Sequence, residues 1–116
     1  MLESPTSARI VMTTVVSTEE AERLGRVLVE ERLAACATIL PGVHSIYHWK
    51  DQIDSSEECT LLLKTALHRL QSLEARLHEL HSYETPEFLV LAVEAGSRAY
   101  LAWLEASLGA DQVRIA

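Results

Sequence analysis

The segment LAACATILPGVHSIYHW, residues 33–49, constrains the fold of this chain more than any other stretch. It is a long β-prone run that Pro41 and Gly42 interrupt. Proline cannot donate a hydrogen bond to a neighbouring strand, so a strand that contains it lies at a sheet edge or bends there. The side chains around the break are too apolar for an exposed edge: Ile39, Leu40, Val43, Ile46, Tyr47 and Trp49. We therefore predict an edge strand that another structural element covers.

Length and composition predict one soluble domain that spans residues 1–116. The 17 acidic and 10 basic side chains give a net charge of −7, which argues against a nucleic-acid partner because phosphate binding needs clustered Lys and Arg. No apolar run approaches the about 20 residues of a membrane helix, and the first residues, MLESPTSAR, do not resemble a secretory signal. We expect a cytoplasmic protein with no membrane partner.

Strand and helix patterns alternate along the chain. Four segments have the apolar, β-branched content of strands: residues 10–16, 36–49, 58–65 and 88–93. Ser17 and Glu20 have the capping-box spacing at the start of an amphipathic helix. Thr65 is the predicted cap of a second helix, whose core-facing stripe is Leu67, Leu70, Leu73, Leu77 and Leu80. A third helix is predicted over about residues 98–108, with Ser97 as its cap.

This order of elements predicts an α+β fold of the ferredoxin-like, split βαβ type. The plan is βαββαβ plus a C-terminal helix, with a four-stranded antiparallel sheet and helices on one face. The polar residues 50–58, KDQIDSSEE, are predicted to connect the hairpin. Residues 36–49 and 88–93 then form the edge strands. An apolar edge together with an uncovered sheet face favours an oligomer.

Four segments, in order, resemble the CutA divalent-cation-tolerance proteins: EERLAACATILPGVHSIYHW, LLLKT, HSYETPE and YLAWL. The resemblance implies a cytoplasmic homotrimer of ferredoxin-like subunits, in which the strand of residues 36–49 pairs with a neighbouring subunit. It also implies a function in tolerance to divalent metals, copper above all, with direct metal binding in some members. The sequence has no GxxxxGK[ST] loop, HExxH motif or Ser-His-Asp order, so no enzymatic activity is predicted.

The resemblance also implies a position for a metal site. The copper ligands proposed for one family member are a Cys on the first strand and two adjacent His after the second helix, which correspond here to Thr13, Leu80 and His81. Only His81 retains the ligand type. Two more candidate metal ligands join His81: Cys36, a soft thiolate ligand where the family also has Cys, and His78, three residues before His81. A small buried thiol and a solvated helix flank are the structural alternatives for Cys36 and His78.

Two further interpretations concern small ligands. His44 and His48 share a strand face, which permits joint metal binding, although an ordinary strand explains them equally. Lys64, Tyr83 and Glu87 match recurrent polar positions of the family, and with Trp49 they are candidates to bind a small anion or cation between subunits. Structural salt links and an interface anchor are the alternatives. This set supports a second hypothesis, a sensor that resembles the trimeric PII signalling proteins.

Overall fold

The computed structural model describes residues 1–109 and contains a four-stranded antiparallel sheet in the order β3-β4-β2-β5. The elements are β1 Leu2–Glu3, β2 Ala8–Val15, α1 Thr18–Glu30, β3 Cys36–Trp49, β4 Gln52–Ala66, a 3₁₀ turn Leu67–Arg69, α2 Leu70–Leu80, β5 Leu89–Ala92, β6 Gly96–Ser97 and α3 Arg98–Ser107. This topology confirms the ferredoxin-like prediction. The sequence did not predict the small ribbon that β1 and β6 form.

Helix α1 begins where the capping pattern predicts. The Ser17 hydroxyl accepts a hydrogen bond from the backbone N–H of Glu20 at 3.1 Å. The side chain of Glu20 does not return to the cap, because its carboxylate is buried and bonds to Ser82 instead. Further along α1, a Cβ on Gly25 would lie 2.9 Å from the Cβ of Ala37. A glycine at this position therefore allows the helix to approach β3 closely.

The main core lies between the sheet and helices α1 and α2. Its largest fully buried apolar members are Val11, Val15, Leu24, Leu28, Leu61, Leu63, Leu73 and Leu77. Helix α3 belongs to a second, smaller cluster with Ala8 and Ala66, through Leu104 and Leu108. Val11 and Leu63 pair across the strands in the main core, and so do Ala8 and Ala66 in the second cluster. Because side chains alternate between the two faces of a strand, the two clusters lie on opposite faces of the sheet. Helices α1 and α2 share one face, as the split βαβ plan predicts, whereas α3 packs on the face predicted to have no helix.

The start of α2 differs from the prediction. Thr65 is the penultimate residue of β4, fully buried, and its hydroxyl donates to the carbonyl of Leu33 at 2.8 Å. It therefore does not cap the helix, which follows a 3₁₀ turn with no side-chain cap. Leu67 was predicted to face the core, but it lies in that turn and is exposed. The predicted stripe is correct for Leu73 and Leu77, which are fully buried.

Strands β3 and β4 form a hairpin far longer than predicted. Residues 52–58 are strand and not connection, because a two-residue turn at Lys50 and Asp51 joins Trp49 directly to Gln52. Both turn residues have positive φ, 50° and 64°, as a tight hairpin with the right-handed strand twist requires. A register shift between Leu40 and Val43 marks where the hairpin bends. We call residues 43–57 the arm; none of its side chains is buried.

Both edges of the sheet expose apolar side chains. On the arm, Ile46 is 71% exposed and Trp49 is 59% exposed. On the opposite edge, every residue of β5 is exposed, including Leu89 and Leu91. Exposed apolar edges of this kind are where strands pair with another chain or are covered by one. Among residues 1–109, no helix is both long and apolar enough to cross a membrane.

Candidate functional site

A cleft of about 670 Å³ lies where the arm leaves the rest of the sheet. Its walls come from the arm, from the end of β2, from β4 and from the loop between α2 and β5. The lining residues are Thr14, Ser45, Ile46, Tyr47, Trp49, Asp54, Glu58, Tyr83, Glu84, Thr85 and Glu87. The bend at the bulge and the register of the hairpin bring these segments together, since Val43 pairs with Glu58 and Tyr47 pairs with Asp54. The structure therefore brings together three of the predicted ligand residues, Trp49, Tyr83 and Glu87.

Tyr83 and Glu58 form the central polar contact of the cleft. The Tyr83 hydroxyl donates to Glu58 Oε2 at 2.7 Å. Burial raises the pKa of Tyr83 well above its usual range, and the hydrogen bond to Glu58 adds to the effect. The phenol therefore stays protonated at neutral pH and acts as a donor that fixes the position of the carboxylate.

Glu87 lies near the same carboxylate. Burial raises the pKa of Glu87, the negative charge of Glu58 raises it further, and a hydrogen bond from the Thr14 side chain opposes both. Two carboxylates that disfavour each other's charge gain stability when a cation lies between them. Asp54 and Glu84 add two more acidic side chains to the lining, and no Lys or Arg of the described residues contributes to it. The cleft is therefore suited to a cation.

The loop that carries Tyr83 and Glu87 is fastened to α1 and β2 by two buried side chains. Glu20, 3% exposed, accepts from the Ser82 N–H through Oε2 and from the Ser82 hydroxyl through Oε1, both at 2.9 Å. His81, 8% exposed, accepts from the Tyr83 N–H through Nδ1 at 3.0 Å. Its Nε2 lies 2.8 Å from the carbonyl oxygen of Thr14, to which it donates.

These contacts bear on the metal ligands that the resemblance implies. Thr13 lies beside His81, with 3.5 Å between Oγ1 and Nε2, so the two ligand positions do meet in space. A histidine binds a metal through a free lone pair on a ring nitrogen, yet both ring nitrogens of His81 already have hydrogen-bond partners. Within residues 1–109, no three His, Cys, Asp or Glu side chains form a group that fits a metal ion. Within one chain, residues 1–109 therefore do not fit the implied copper site.

The other predicted ligands lie apart from His81. Cys36 pairs with Lys64 across β3 and β4 and is half-buried, so it is less enclosed than the buried-thiol alternative predicts, whereas Cys59 is buried. His78 is exposed on α2, as the solvated-flank interpretation predicts. Lys64 does not line the cleft either: its ammonium donates to the Tyr100 hydroxyl at 3.2 Å, and this hydrogen bond raises the Lys64 pKa.

Comparison with known proteins agrees with this fold. The chain matches the family model of the CutA1 divalent ion tolerance protein over residues 9–107. The chain belongs to the CutA family. A relative from Thermus thermophilus, the divalent-cation tolerance protein CutA, is 43% identical over 100 residues, which cover 86% of this chain and 97% of the relative.

Solved CutA structures superpose closely on this chain. CutA from Synechococcus elongatus PCC7942 has a TM-score of 0.90 at 38% identity, covering 93% of this chain and 96% of that one. A second structure of the same protein, complexed with a Bis-Tris molecule, has a TM-score of 0.86 at 37% identity, covering 92% and 99%. The protein from Archaeoglobus fulgidus, described as a periplasmic divalent cation tolerance protein, has a TM-score of 0.84 at 30% identity, covering 87% and 98%.

Sequence reasoning missed several acidic residues of the cleft. The polar composition of residues 50–58 predicts a connection, and it does not indicate that Asp54 and Glu58 lie near Tyr83. The signal that would have found them is the dipeptide Lys50-Asp51. If these two residues form the whole turn, the register fixes Glu58 opposite Val43 and turns the polar stretch into a wall of the cleft.

Proposed function

We propose that this CutA protein acts in divalent-cation tolerance by binding a cation in the acidic cleft, as a cytoplasmic and non-enzymatic homotrimer. The observation that carries the proposal is the charge of the cleft, where Asp54, Glu58, Glu84 and Glu87 meet without a lysine or arginine among the described lining residues. A concave site lined by one sign of charge concentrates ions of the opposite sign. Membership of the family supports the same function.

A neighbouring subunit is proposed to complete the site. The described residues of one chain do not form a group of three metal ligands, so the carboxylates of the cleft need further donors. The cleft borders the arm, whose apolar side chains Ile46 and Trp49 are exposed in the single chain. Covering this edge with a second chain removes apolar surface from water and places that chain's side chains next to Glu58 and Glu87.

The metal itself is also part of the proposal. The resemblance implies copper, for which the sequence offers His81, Cys36 and His78 as ligands. The cleft offers carboxylate oxygens instead, a donor set that serves hard and borderline divalent ions. We therefore propose the cleft as the site of direct binding and compare Cu²⁺ with Zn²⁺ as probes.

Calorimetric titration with Cu²⁺ and Zn²⁺ tests the binding. Glu58→Gln is expected to weaken the affinity about tenfold, since it removes the charge of the one cleft carboxylate that Tyr83 holds in position. Glu57→Gln is the matched control, because Glu57 is the adjacent exposed residue and lies outside the cleft lining. Cys36→Ser and His78→Gln test the other candidate copper ligands that the sequence offers. Wild-type protein without saturable binding tighter than about 10⁻⁴ M would refute direct binding.

Sedimentation equilibrium tests the assembly. A homotrimer has three times the chain mass of 12.9 kDa, and a protein that sediments as single chains at micromolar concentration would contradict the proposed trimer. Truncation of Trp49 to Ala should reduce the trimer fraction, because its exposed indole is the proposed anchor of the interface.

A second candidate function is a small-molecule sensor of the PII type. The observation in its favour is the size of the cleft, about 670 Å³ with Tyr47, Trp49 and Tyr83 in its walls, since pockets for small molecules span about 300–1,000 Å³. The Synechococcus relative has been solved with the organic molecule Bis-Tris. Organic amines that raise the melting temperature where Cu²⁺ and Zn²⁺ do not would favour the sensor, and the reverse result would favour metal tolerance.

A further inference from the structure

The loop of residues 82–87, which we call the cleft loop, contributes four of the residues that line the cleft. They are Tyr83, Glu84, Thr85 and Glu87. Outside the helices and strands, no backbone-to-backbone hydrogen bond among residues 1–109 reaches the cleft loop. A loop without such bonds has many accessible conformations unless side chains restrain it. Its position in the cleft therefore depends on the side chains that bind its backbone.

Two buried side chains bind the beginning of this loop. Glu20 accepts both the N–H and the hydroxyl of Ser82, and each of its oxygens takes one of these bonds. His81 accepts the N–H of Tyr83 through Nδ1. Because a backbone N–H can only donate, the ring proton is on Nε2, where it donates to the carbonyl of Thr14 on β2. The ring is thus held at both nitrogens and links the loop to the central strand.

We infer that Glu20 and His81 are positioning residues, which hold the cleft loop so that Tyr83 reaches Glu58 and Glu87 faces the same carboxylate. His81 acts through the Tyr83 N–H and not as a metal ligand. The inference rests on the proposed function in taking the cleft as the binding site. It assigns a role to two buried polar side chains, 3% and 8% exposed, which the binding of a cation does not itself explain.

Two further contacts support this role of Glu20 and His81, which together we call the clamp. The rings of His81 and Tyr83 pack with centroids 4.8 Å apart, so the histidine also restrains the tyrosine side chain. The Tyr83 hydroxyl then lies 2.7 Å from Glu58 Oε2. Buried hydrogen bonds to a charged acceptor, as at Glu20, are the stronger class in proteins. The clamp therefore fixes the first two residues of the cleft loop: Glu20 binds Ser82, and His81 binds the backbone N–H of Tyr83.

Two substitutions of His81 separate positioning from metal ligation. In His81→Asn, the side-chain oxygen replaces Nδ1 as the acceptor for the Tyr83 N–H. In His81→Gln, the longer amide reaches the Thr14 carbonyl but leaves the Tyr83 N–H without its acceptor. By the usual strength of a hydrogen bond, the Tyr83 amide should exchange with solvent about tenfold faster in His81→Gln and within about threefold of wild type in His81→Asn.

Titration of the same variants with Cu²⁺ completes the test. Positioning predicts that His81→Asn keeps Cu²⁺ affinity close to that of wild type and that His81→Gln weakens it by about tenfold. Equal loss in both variants, with unchanged exchange of the Tyr83 amide, would overturn the inference in favour of a metal-ligand role. If wild-type protein binds neither Cu²⁺ nor Zn²⁺, the proposed function fails, while amide exchange still decides whether the clamp exists.

Glu20→Met tests the second half of the clamp. Methionine has a similar length but no oxygen to accept either the N–H or the hydroxyl of Ser82, so both bonds of the carboxylate are lost. Exchange of the Ser82 amide should accelerate about tenfold, together with weaker Cu²⁺ binding. Glu19→Met is the matched control, because Glu19 lies in the same first turn of α1 and is exposed. Identical behaviour of the two variants would contradict the role of Glu20.

Discussion

The β3–β4 hairpin has two parts with opposite surroundings, which meet at the bulge between Leu40 and Val43. In the part of the hairpin that the helices cover, the β4 residues Leu61, Leu63 and Thr65 are completely buried. In the arm, the same two strands continue with a regular register and bury nothing. The pairing of β3 with β4 therefore continues without help from the core, and the side chains of the arm do not serve to pack it. Its apolar side chains Ile46 and Trp49 are exposed in the single chain, and its polar side chains Ser45 and Asp54 line a cleft.

The largest expected difference between the two parts concerns the free energy of unfolding. Leu63→Ala should lower it by about 3 kcal/mol, because a buried leucine leaves a cavity that the tightly packed sheet cannot close. Ile53→Ala is the matched change in the arm, where the side chain is 65% exposed. It should lower the free energy of unfolding of a single chain by less than about 1 kcal/mol. Urea denaturation of both variants gives the comparison. Equal losses would show that the arm is buried as deeply as the core.

A charge on the arm tests its proposed role in assembly. Ile46→Lys should weaken association by at least about tenfold, since it places an unpaired ammonium in an apolar interface. The unfolding of each chain should change little, because Ile46 contacts solvent in the single subunit. Sedimentation velocity over a range of concentrations measures the shift. Gln71→Lys, at an exposed position of α2 outside the arm, is the control for added charge.

The sequence was sufficient to predict the part of the fold that contains the core, without the arm and the cleft. Alternation of apolar residues and the Ser17 cap act locally, so β2, α1 and the sheet order followed from the printed residues. The cleft could not be predicted in the same way. It depends on a two-residue turn that determines the partner of Glu58, and on Glu20, which looks like a capping residue but bonds to Ser82, 62 positions away. Long-range contacts of this kind have no periodic signal in the sequence.

Hydrogen bonds provide a smaller test of the same contrast. Thr65→Val removes a hydroxyl that donates to Leu33 at 2.8 Å in the core and should cost about 1 to 2 kcal/mol, because the carbonyl loses its donor away from water. Tyr47→Phe removes the exposed hydrogen bond from the tyrosine to Ser56 in the arm. Water replaces that partner, so the expected loss is under about 0.5 kcal/mol. Chemical denaturation distinguishes the two, and a costly Tyr47→Phe would show that a neighbouring subunit shields this hydrogen bond from water.

The smallest expected effect is a pH dependence at the junction of arm and core, where Glu87 lies near Glu58. Burial and the charge of Glu58 raise the pKa of Glu87 in the folded chain, so the folded state holds a proton at a pH where the unfolded state has lost it. Stability from this group is therefore present below the unfolded pKa of Glu, about 4.3, and is lost as the pH rises through the higher folded value.

Glu87→Gln removes that dependence. The variant should be slightly more stable than wild type at pH 7, and the difference should shrink as the pH falls towards 4. Urea midpoints at a series of pH values, without added metal, measure it, and Glu84→Gln in the same loop controls for the loss of one negative charge. Cu²⁺ affinity should fall with decreasing pH for a related reason, because a proton on Glu87 competes with the cation. A constant difference between wild type and Glu87→Gln across this range would contradict the coupling of Glu87 to Glu58.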